Sequence, residues 1–458
     1  MKRLMVGLII ISVVFWMAGA SRADDRIGPG KFFNMQEILD ETTLNIVKHK
    51  DEVVSSTARP GKKVRRIELT FTSQVWHEST WTHPARIYIP ENYQGGGQVG
   101  IIGTHIGLFQ DPAASTRPIP GTQTGVEAEF VEGTALDLGL PIMIFAAPAE
   151  NSSGLHESDL MGYAMKKLFQ TGDLTWFGYY PIAMSYLRAI TLLHAIPEIK
   201  AERAVLLGCS KRGYAVCITT GVDPERVAGV MSTCYFGGNN LYWIAMKFAQ
   251  FGPYLSGPAE KRAGPGYQPA TALLDMFNNP IGYQLLLYFD PYNWRSKIKS
   301  AYLVALGTND EFYALGTPNV MMKRLKGDKA FLAVDNTPHT WQSQKHLAAW
   351  RMWLAHTFLK RPVPQIEVKA EVTEEKLSVR ATVAAGGNIQ GVNLLYARNK
   401  TTDWREAVWS TIPMTRTADA YTADLDLAAG QKTAYYVEVE DTGPGGPGYV
   451  SSLVEIID

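Results

Sequence analysis

Two hydrophobic patterns divide the chain, and one gives way to the other near residue 362. Between residues 66 and 360, short unbroken apolar runs lie at 86–89, 99–104, 141–145, 204–208, 227–232, 302–307 and 330–334. Runs of this kind predict strands buried on both sides, as in a mostly parallel sheet. The stretches between them carry helical spacing. Ile182, Tyr186, Ala189 and Leu193 recur at that period, and so do Leu347, Trp350, Leu354 and Phe358 after Thr340 as the expected cap. The alternation predicts an α/β class fold with a doubly wound, mostly parallel sheet covered on both faces.

Lys360-Arg361-Pro362-Val363-Pro364 breaks the last helix and reads as a linker. Beyond it the period falls to two. Ile366, Val368, Ala370 and Val372 alternate with Glu367, Lys369 and Glu371, and Leu377, Val379, Ala381 and Val383 with Ser378, Arg380 and Thr382. Further strand-like runs at 392–398, 404–410, 420–427, 432–440 and 449–456, with a Gly/Pro turn at 443–448, predict an all-β immunoglobulin- or fibronectin-like sandwich. The expected organisation is an α/β domain at 24–361, with an aromatic-rich, cap-like insertion at 236–294, and a sandwich at 362–458.

The first 23 residues read as an export signal. Lys2 and Arg3 precede an apolar stretch at 4–17, and Ala18-Gly19-Ala20 supplies small residues for cleavage near Ala20 or Ala23. The apolar stretch is shorter than the roughly 20 residues of a spanning helix. The expected product is exported, periplasmic or secreted, with no membrane span after cleavage.

Composition narrows the chemistry. Of 458 residues, 46% are apolar and 19% charged, which excludes wholesale disorder. Lys+Arg and Asp+Glu number 44 each, so nucleic acid is not an expected partner. Cys209, Cys217 and Cys234 match no zinc spacing and allow at most one disulfide, whose pairing stays open.

The most informative stretch is an apolar strand running through Gly208-Cys209-Ser210-Lys211-Arg212-Gly213 into a helical segment. An α/β-hydrolase carries its nucleophile on such a turn, although Arg212 stands where the second glycine usually falls. Alone, a Gly-x-Ser loop is more simply a helix cap. A serine hydroxyl needs a histidine to take its proton and a carboxylate to orient that histidine, and in this fold they follow in the order Ser, acid, His. Asp310 follows the run at 302–307 and His339 the run at 330–334, both at the carboxyl ends of strands where open α/β sheets carry their sites. Ser210, Asp310 and His339 therefore form the expected triad, with Glu311 as reserve acid. Backbone N–H groups of Lys211 and of the loop after residue 104, near Ile106, are the expected oxyanion donors. His105 is given no catalytic role. The side chains of Lys211 and Arg212 read as salt-bridged surface groups or as a cation beside the oxyanion. Phe236, Tyr242, Trp243, Phe248, Phe251, Tyr254, Tyr267 and Tyr283 read mainly as the insertion's own core, or as a cap over the site. Trp76 and Trp81 read as edge-strand packing, and His77 and His83 lack a third metal ligand.

On these residues the chain, from about residue 32 to its end, resembles the PhoPQ-activated pathogenicity-related protein family, exported proteins of α/β-hydrolase type. The likeness rests on Gly208-Cys209-Ser210-Lys211-Arg212-Gly213, Thr171-Gly172-Asp173, Asp290-Pro291-Tyr292, Asn309-Asp310-Glu311-Phe312, Asn336-Thr337-Pro338-His339, and Tyr396-Ala397-Arg398 with Trp404-Arg405. It departs at Cys209, Tyr214 and Tyr313, where members often carry alanine, tryptophan and another aromatic. The resemblance implies Ser210, Asp310 and His339 as the triad and ties the family to the bacterial envelope and virulence. The nucleophile turn also resembles that of glucuronoyl esterases, which implies an oxyanion role for Lys211.

Together these readings predict an exported serine hydrolase, of esterase or peptidase type, acting at the cell envelope on an ester or amide of a small molecule, carbohydrate or peptide. They require neither metal nor organic cofactor. The alternative is a non-catalytic secreted binding or signalling protein on a hydrolase scaffold. A metal-dependent esterase is disfavoured, because no His-x-x-x-His or Cys-x-x-Cys spacing occurs.

Overall fold

The computed structural model describes residues 27–104, 126–148, 157–252, 278–384 and 386–457. The expected export signal lies outside these residues, as do Ile106, the rest of its loop, Tyr254 and Tyr267. No helix among the described residues is long and apolar enough to cross a membrane.

One large sheet is built from β1 (Val47–Ser55), β2 (Lys63–Trp76), β3 (Ser79–Pro90), β4 (Gln98–Thr104), β5 (Ile142–Ala146), β6 (Arg203–Cys209), β7 (Val227–Thr233), β8 (Ala301–Gly307) and β9 (Lys329–Val334). Its order is β1-β2-β3-β5-β4-β6-β7-β8-β9. The first three strands run antiparallel and join β5 antiparallel, while β5, β4 and β6 to β9 are mutually parallel. This is the α/β-hydrolase architecture. All seven apolar runs fall on strands, β3 beginning well before residue 86. The hairpin ahead of it, β1 and β2, escaped the pattern because β1 is almost wholly exposed and β2 mixes polar with apolar positions.

Side chains alternate across a strand, so each buried strand feeds two cores. Leu206, Val230 and Val304 face a layer that contains α4 (Tyr179–Ala195) and α5 (Lys211–Thr219). Val205, Leu207, Met231, Leu303 and Ala305 face α9 (Gln344–Leu359) on the other side. Burying each of the Leu, Val and Met side chains contributes roughly 1.5–3 kcal/mol. Ser343, not Thr340, caps α9, its Oγ accepting from His346 N, because the helix begins only at Gln344. The remaining α-helices among the described residues are α1 (Met35–Leu39), α2 (Thr134–Leu138), α3 (Glu157–Thr171), α6 (Asn240–Phe251), α7 (Pro280–Phe289) and α8 (Pro318–Arg324).

The C-terminal part is a sandwich of two antiparallel sheets. One holds β10 (Gln365–Val372), β11 (Lys376–Ala384), β15 (Tyr421–Asp426) and β14 (Thr415–Arg416); the other holds β13 (Ser410–Pro413), β12 (Asn388–Asn399), β16 (Lys432–Gly443) and β17 (Gly446–Ser451), with β18 (Glu455–Ile457) beside β16. Leu377, Val379 and Ala381 of one sheet pack with Val392, Leu394, Val437 and Val439 of the other. The run at 404–410 is not a strand; Trp404 is buried, and the chain resumes extended pairing only at Ser410. Nor is the linker a loose tether. Arg361 is buried against Asp441 at 2.9 Å and donates to the carbonyls of Pro444 and Gly446, fastening the end of α9 to the β16–β17 hairpin.

Candidate active site

At the carboxyl end of β6, Ser210 adopts φ 58° and ψ −120°, and α5 opens at the next residue. Such a backbone costs about 1–3 kcal/mol in a non-glycine residue and persists only when its surroundings fix it. Here β7 does so. Ser210 N donates to Thr233 O at 2.9 Å, Thr233 Oγ1 donates to Gly208 O at 3.0 Å, and Ser232 Oγ donates to Gly213 O at 3.1 Å. A Cβ on Gly208 would stand 2.4 Å from Arg212 O, and one on Gly213 would stand 2.7 Å from Thr233 O. The close approach of helix to strand thus falls at residue 213, which explains why Arg212 can occupy the usual glycine position. Arg212 is buried, so it is not the surface group that its charge suggested. Lys211 sits at the positive end of α5.

Strand β4 ends beside this turn. The Tyr186 hydroxyl accepts from Gly103 N at 3.1 Å and donates to Leu207 O at 2.8 Å, holding β4 and β6 level at the rim. Only glycine fits at 103, since a Cβ there would lie 2.3 Å from that hydroxyl.

Asp310 and His339, the expected acid and base, lie on the loops after β8 and β9. His339 Nδ1 donates to Asp310 Oδ2 at 2.8 Å, while Asp310 Oδ1 accepts from Phe312 N at 2.8 Å and Tyr313 N at 3.0 Å. All of the carboxylate's bonds therefore orient it toward the imidazole. Glu311 Oε2 accepts from His339 N at 2.9 Å, so it anchors the histidine's main chain instead of its ring. Burial alone would lower the pKa of His339, but the charge and hydrogen bond of Asp310 outweigh it and raise the pKa to about 9. The imidazole is flanked by the rings of Phe312 at 4.6 Å and Tyr313 at 5.7 Å. Phe236 and Trp243 pack at tilted angles against Tyr313, and Trp243 Nε1 donates to Phe312 O at 3.2 Å. These two aromatics of the insertion thus wall the site, whereas Phe248 packs in a small local cluster with Ile244 and Leu286. Asp290 ties the start of α6 down, accepting from Asn239 N at 2.8 Å and Asn240 N at 2.7 Å.

Sequence reasoning missed how the sandwich reaches this site. Asn309 Nδ2 donates to the carbonyls of Trp404, Arg405 and Ala407 at 3.3, 3.2 and 2.7 Å. Asn336 donates to Trp409 O at 3.1 Å and accepts from Trp409 N at 2.8 Å. Asn309, beside Asp310, and Asn336, on the loop of His339, are therefore latched to one segment, 404–409. The only signal was that Asn309, Asn336 and Trp404 stand within the family-like motifs.

His83, on β3, and His77, in the turn before it, pack against the fold. His83 is buried, with Nε2 against Ser73 Oγ at 2.9 Å and Nδ1 donating to Ala146 O at 2.8 Å; His77 stacks on Trp176 at 3.6 Å.

Among solved structures, the chain is similar to acetyl xylan esterase 1 from Thermoanaerobacterium sp. JW/SL YS485, at 14% identity and TM-score 0.39, covering 70% of this chain and 86% of that one. It is also similar to a glucuronoyl esterase from Solibacter usitatus, at 14% identity and TM-score 0.45, over 70% and 87% of the two chains. A glucuronoyl esterase from Teredinibacter turnerae T7901 matches at 13% identity and TM-score 0.43, over 69% and 79%. No curated protein matches the chain. The family model that does match, PhoPQ-activated pathogenicity-related protein, spans residues 48–405, and this chain belongs to that family.

Proposed function

We propose that this protein is an exported serine hydrolase that cleaves an ester or amide through Ser210, His339 and Asp310. The observation that carries the reading is the Asp310–His339 hydrogen bond, at the same sheet rim as a serine held on a strained strand-to-helix turn. A serine on an unstrained loop, or a histidine bonded through both nitrogens to the core, would not support it.

In the proposed reaction Ser210 Oγ attacks the substrate carbonyl as its proton passes to His339 Nε2. Asp310, accepting from Nδ1–H, fixes the tautomer that leaves Nε2 able to take that proton and stabilises the imidazolium that results. The carbonyl oxygen becomes an oxyanion, received by the backbone N–H of Lys211 and by that of Ile106 on the loop after β4. His339 then protonates the leaving alcohol or amine, and water repeats the sequence on the acyl-enzyme. The aromatic wall of Phe312, Tyr313 and Trp243 suits an acyl or leaving group with an apolar face. No metal or organic cofactor enters the scheme. Residues 24–361 would carry the reaction and 362–458 would brace it, at the cell envelope after removal of the signal.

A panel of chromogenic acyl esters, sugar esters and aminoacyl amides tests the reading on the purified protein. Hydrolysis of at least one class, insensitive to chelator, is expected. A protein that turns over none and resists a fluorophosphonate would instead be the binding protein of the alternative reading.

A further inference from the structure

The three cysteines, all thiols in this structure, occupy different faces of the large sheet. Cys217 on α5 lies in the layer with α4, among the residues around Ile218 and Val304. Cys209 and Cys234 lie on the opposite side, in the layer with α9. Cys209 closes β6 directly before Ser210, and Cys234 follows the end of β7, the neighbouring strand, where Cys209 is paired with Thr233. A left-handed backbone at Cys234, φ 49°, ends the pleat there. The two sulfurs and a ring nitrogen of His339 all lie within 4.8 Å of one another. Adjacent strands run about 4.8 Å apart, and a disulfide bridges Cα separations of about 4.4–6.8 Å.

We propose that Cys209 and Cys234 form a disulfide in the mature protein, crosslinking the strand that carries the nucleophile to its neighbour, while Cys217 remains a thiol. The chemistry of the three groups points the same way. A hydrogen bond from the Cys234 thiol, helped by the charge of His339, holds Cys209 below the ordinary thiol pKa against its own burial. Burial pushes Cys234 well up and Cys217 up to about 12. In the folded chain Cys209 is therefore the more acidic of the pair.

The oxidant is a disulfide, R–S–S–R, carried by a protein or small molecule of an oxidising compartment. Cys209 S⁻ attacks one of its sulfurs, the S–S bond breaks, and RS⁻ leaves. Cys234 then gives up its proton and attacks Cys209 Sγ, expelling the second RS⁻. Two protein thiols are oxidised to one disulfide, and R–S–S–R is reduced to two thiols. Because Cys234 is fully buried, the exchange belongs to folding, before β7 is covered.

The test is a thiol count on the full chain refolded with glutathione and glutathione disulfide, then unfolded in guanidinium with iodoacetamide. One alkylated cysteine per chain, Cys217, is expected, together with a peptide pair joined through Cys209 and Cys234. The Cys209→Ser chain should take up two groups. Three groups on the wild type, with or without a zinc ion retained before unfolding, would overturn the proposal, and so would a bond to Cys217. The count reads the same whether or not Ser210 turns over substrate.

Discussion

The two sides of the site are held by different means. The turn at Ser210 is fixed from inside the sheet: glycines 208 and 213 let helix and strands close up, and the end of β7 supplies the hydrogen bonds that hold Ser210 in its strained backbone. The loops of Asp310 and His339 are fixed partly from outside. Asn309 and Asn336 reach across to carbonyl and amide groups of 404–409, so the sandwich bears on the positions of Asp310 and His339. One half of the candidate site is thus set mainly by close packing around glycine, and the other by side-chain hydrogen bonds to the sandwich.

The sharpest way to break this comparison is to remove the chemistry it positions. Ser210→Ala should lower turnover by on the order of 10⁴-fold or more, leaving only binding and the oxyanion donors, with the thermal transition nearly unchanged. Asp310→Asn should cost about 10⁴-fold through the wrong imidazole tautomer. It should also move the pH profile. His339 acts as base only when neutral, and its raised pKa, about 9, means that activity is lost as pH falls through that value. Without the carboxylate the midpoint should shift to lower pH. The same raised pKa makes protonated His339 a source of stability that is complete below the ordinary histidine value of about 6.5 and lost as pH rises through 9.

The latch is predicted to matter less. Asn336→Ala and Asn309→Ala should each lower kcat by about 10- to 100-fold through misplacement of the loops, with KM little changed. Turnover at the wild-type rate in the double variant would show that the sandwich does not position the acid and base. Smallest of all, Gly213→Ala should cost about 1–3 kcal/mol of stability, because its Cβ would crowd Thr233 O at 2.7 Å and Tyr235 Cβ at 3.0 Å. Denaturant unfolding measures it; an unchanged midpoint would mean that helix and strand have room to part.

How far the sequence revealed these parts follows from the physics of each. Strands buried on both faces, such as β6 and β8, show as unbroken apolar runs, and α4 shows through its period. The strained serine left a local signature, glycine before it and helix after it. Asn309 and Asn336 left no signature beyond their place in the family-like motifs, because a side-chain amide bonding to a distant backbone has no period and no partner residue type. The segment 404–410 misled for a related reason. Its apolar residues Trp404 and Ala407 are buried by docking, not by pairing in a sheet. Ser343 and Thr340 are equally good caps by type, and only the helix start chose between them.

Intact and peptide mass spectrometry of the purified protein after reaction with a fluorophosphonate tests the central claim most directly. The account predicts one adduct per chain, carried on Ser210 and absent when His339 is replaced by alanine. An adduct on another residue, or none on a folded chain, would contradict it.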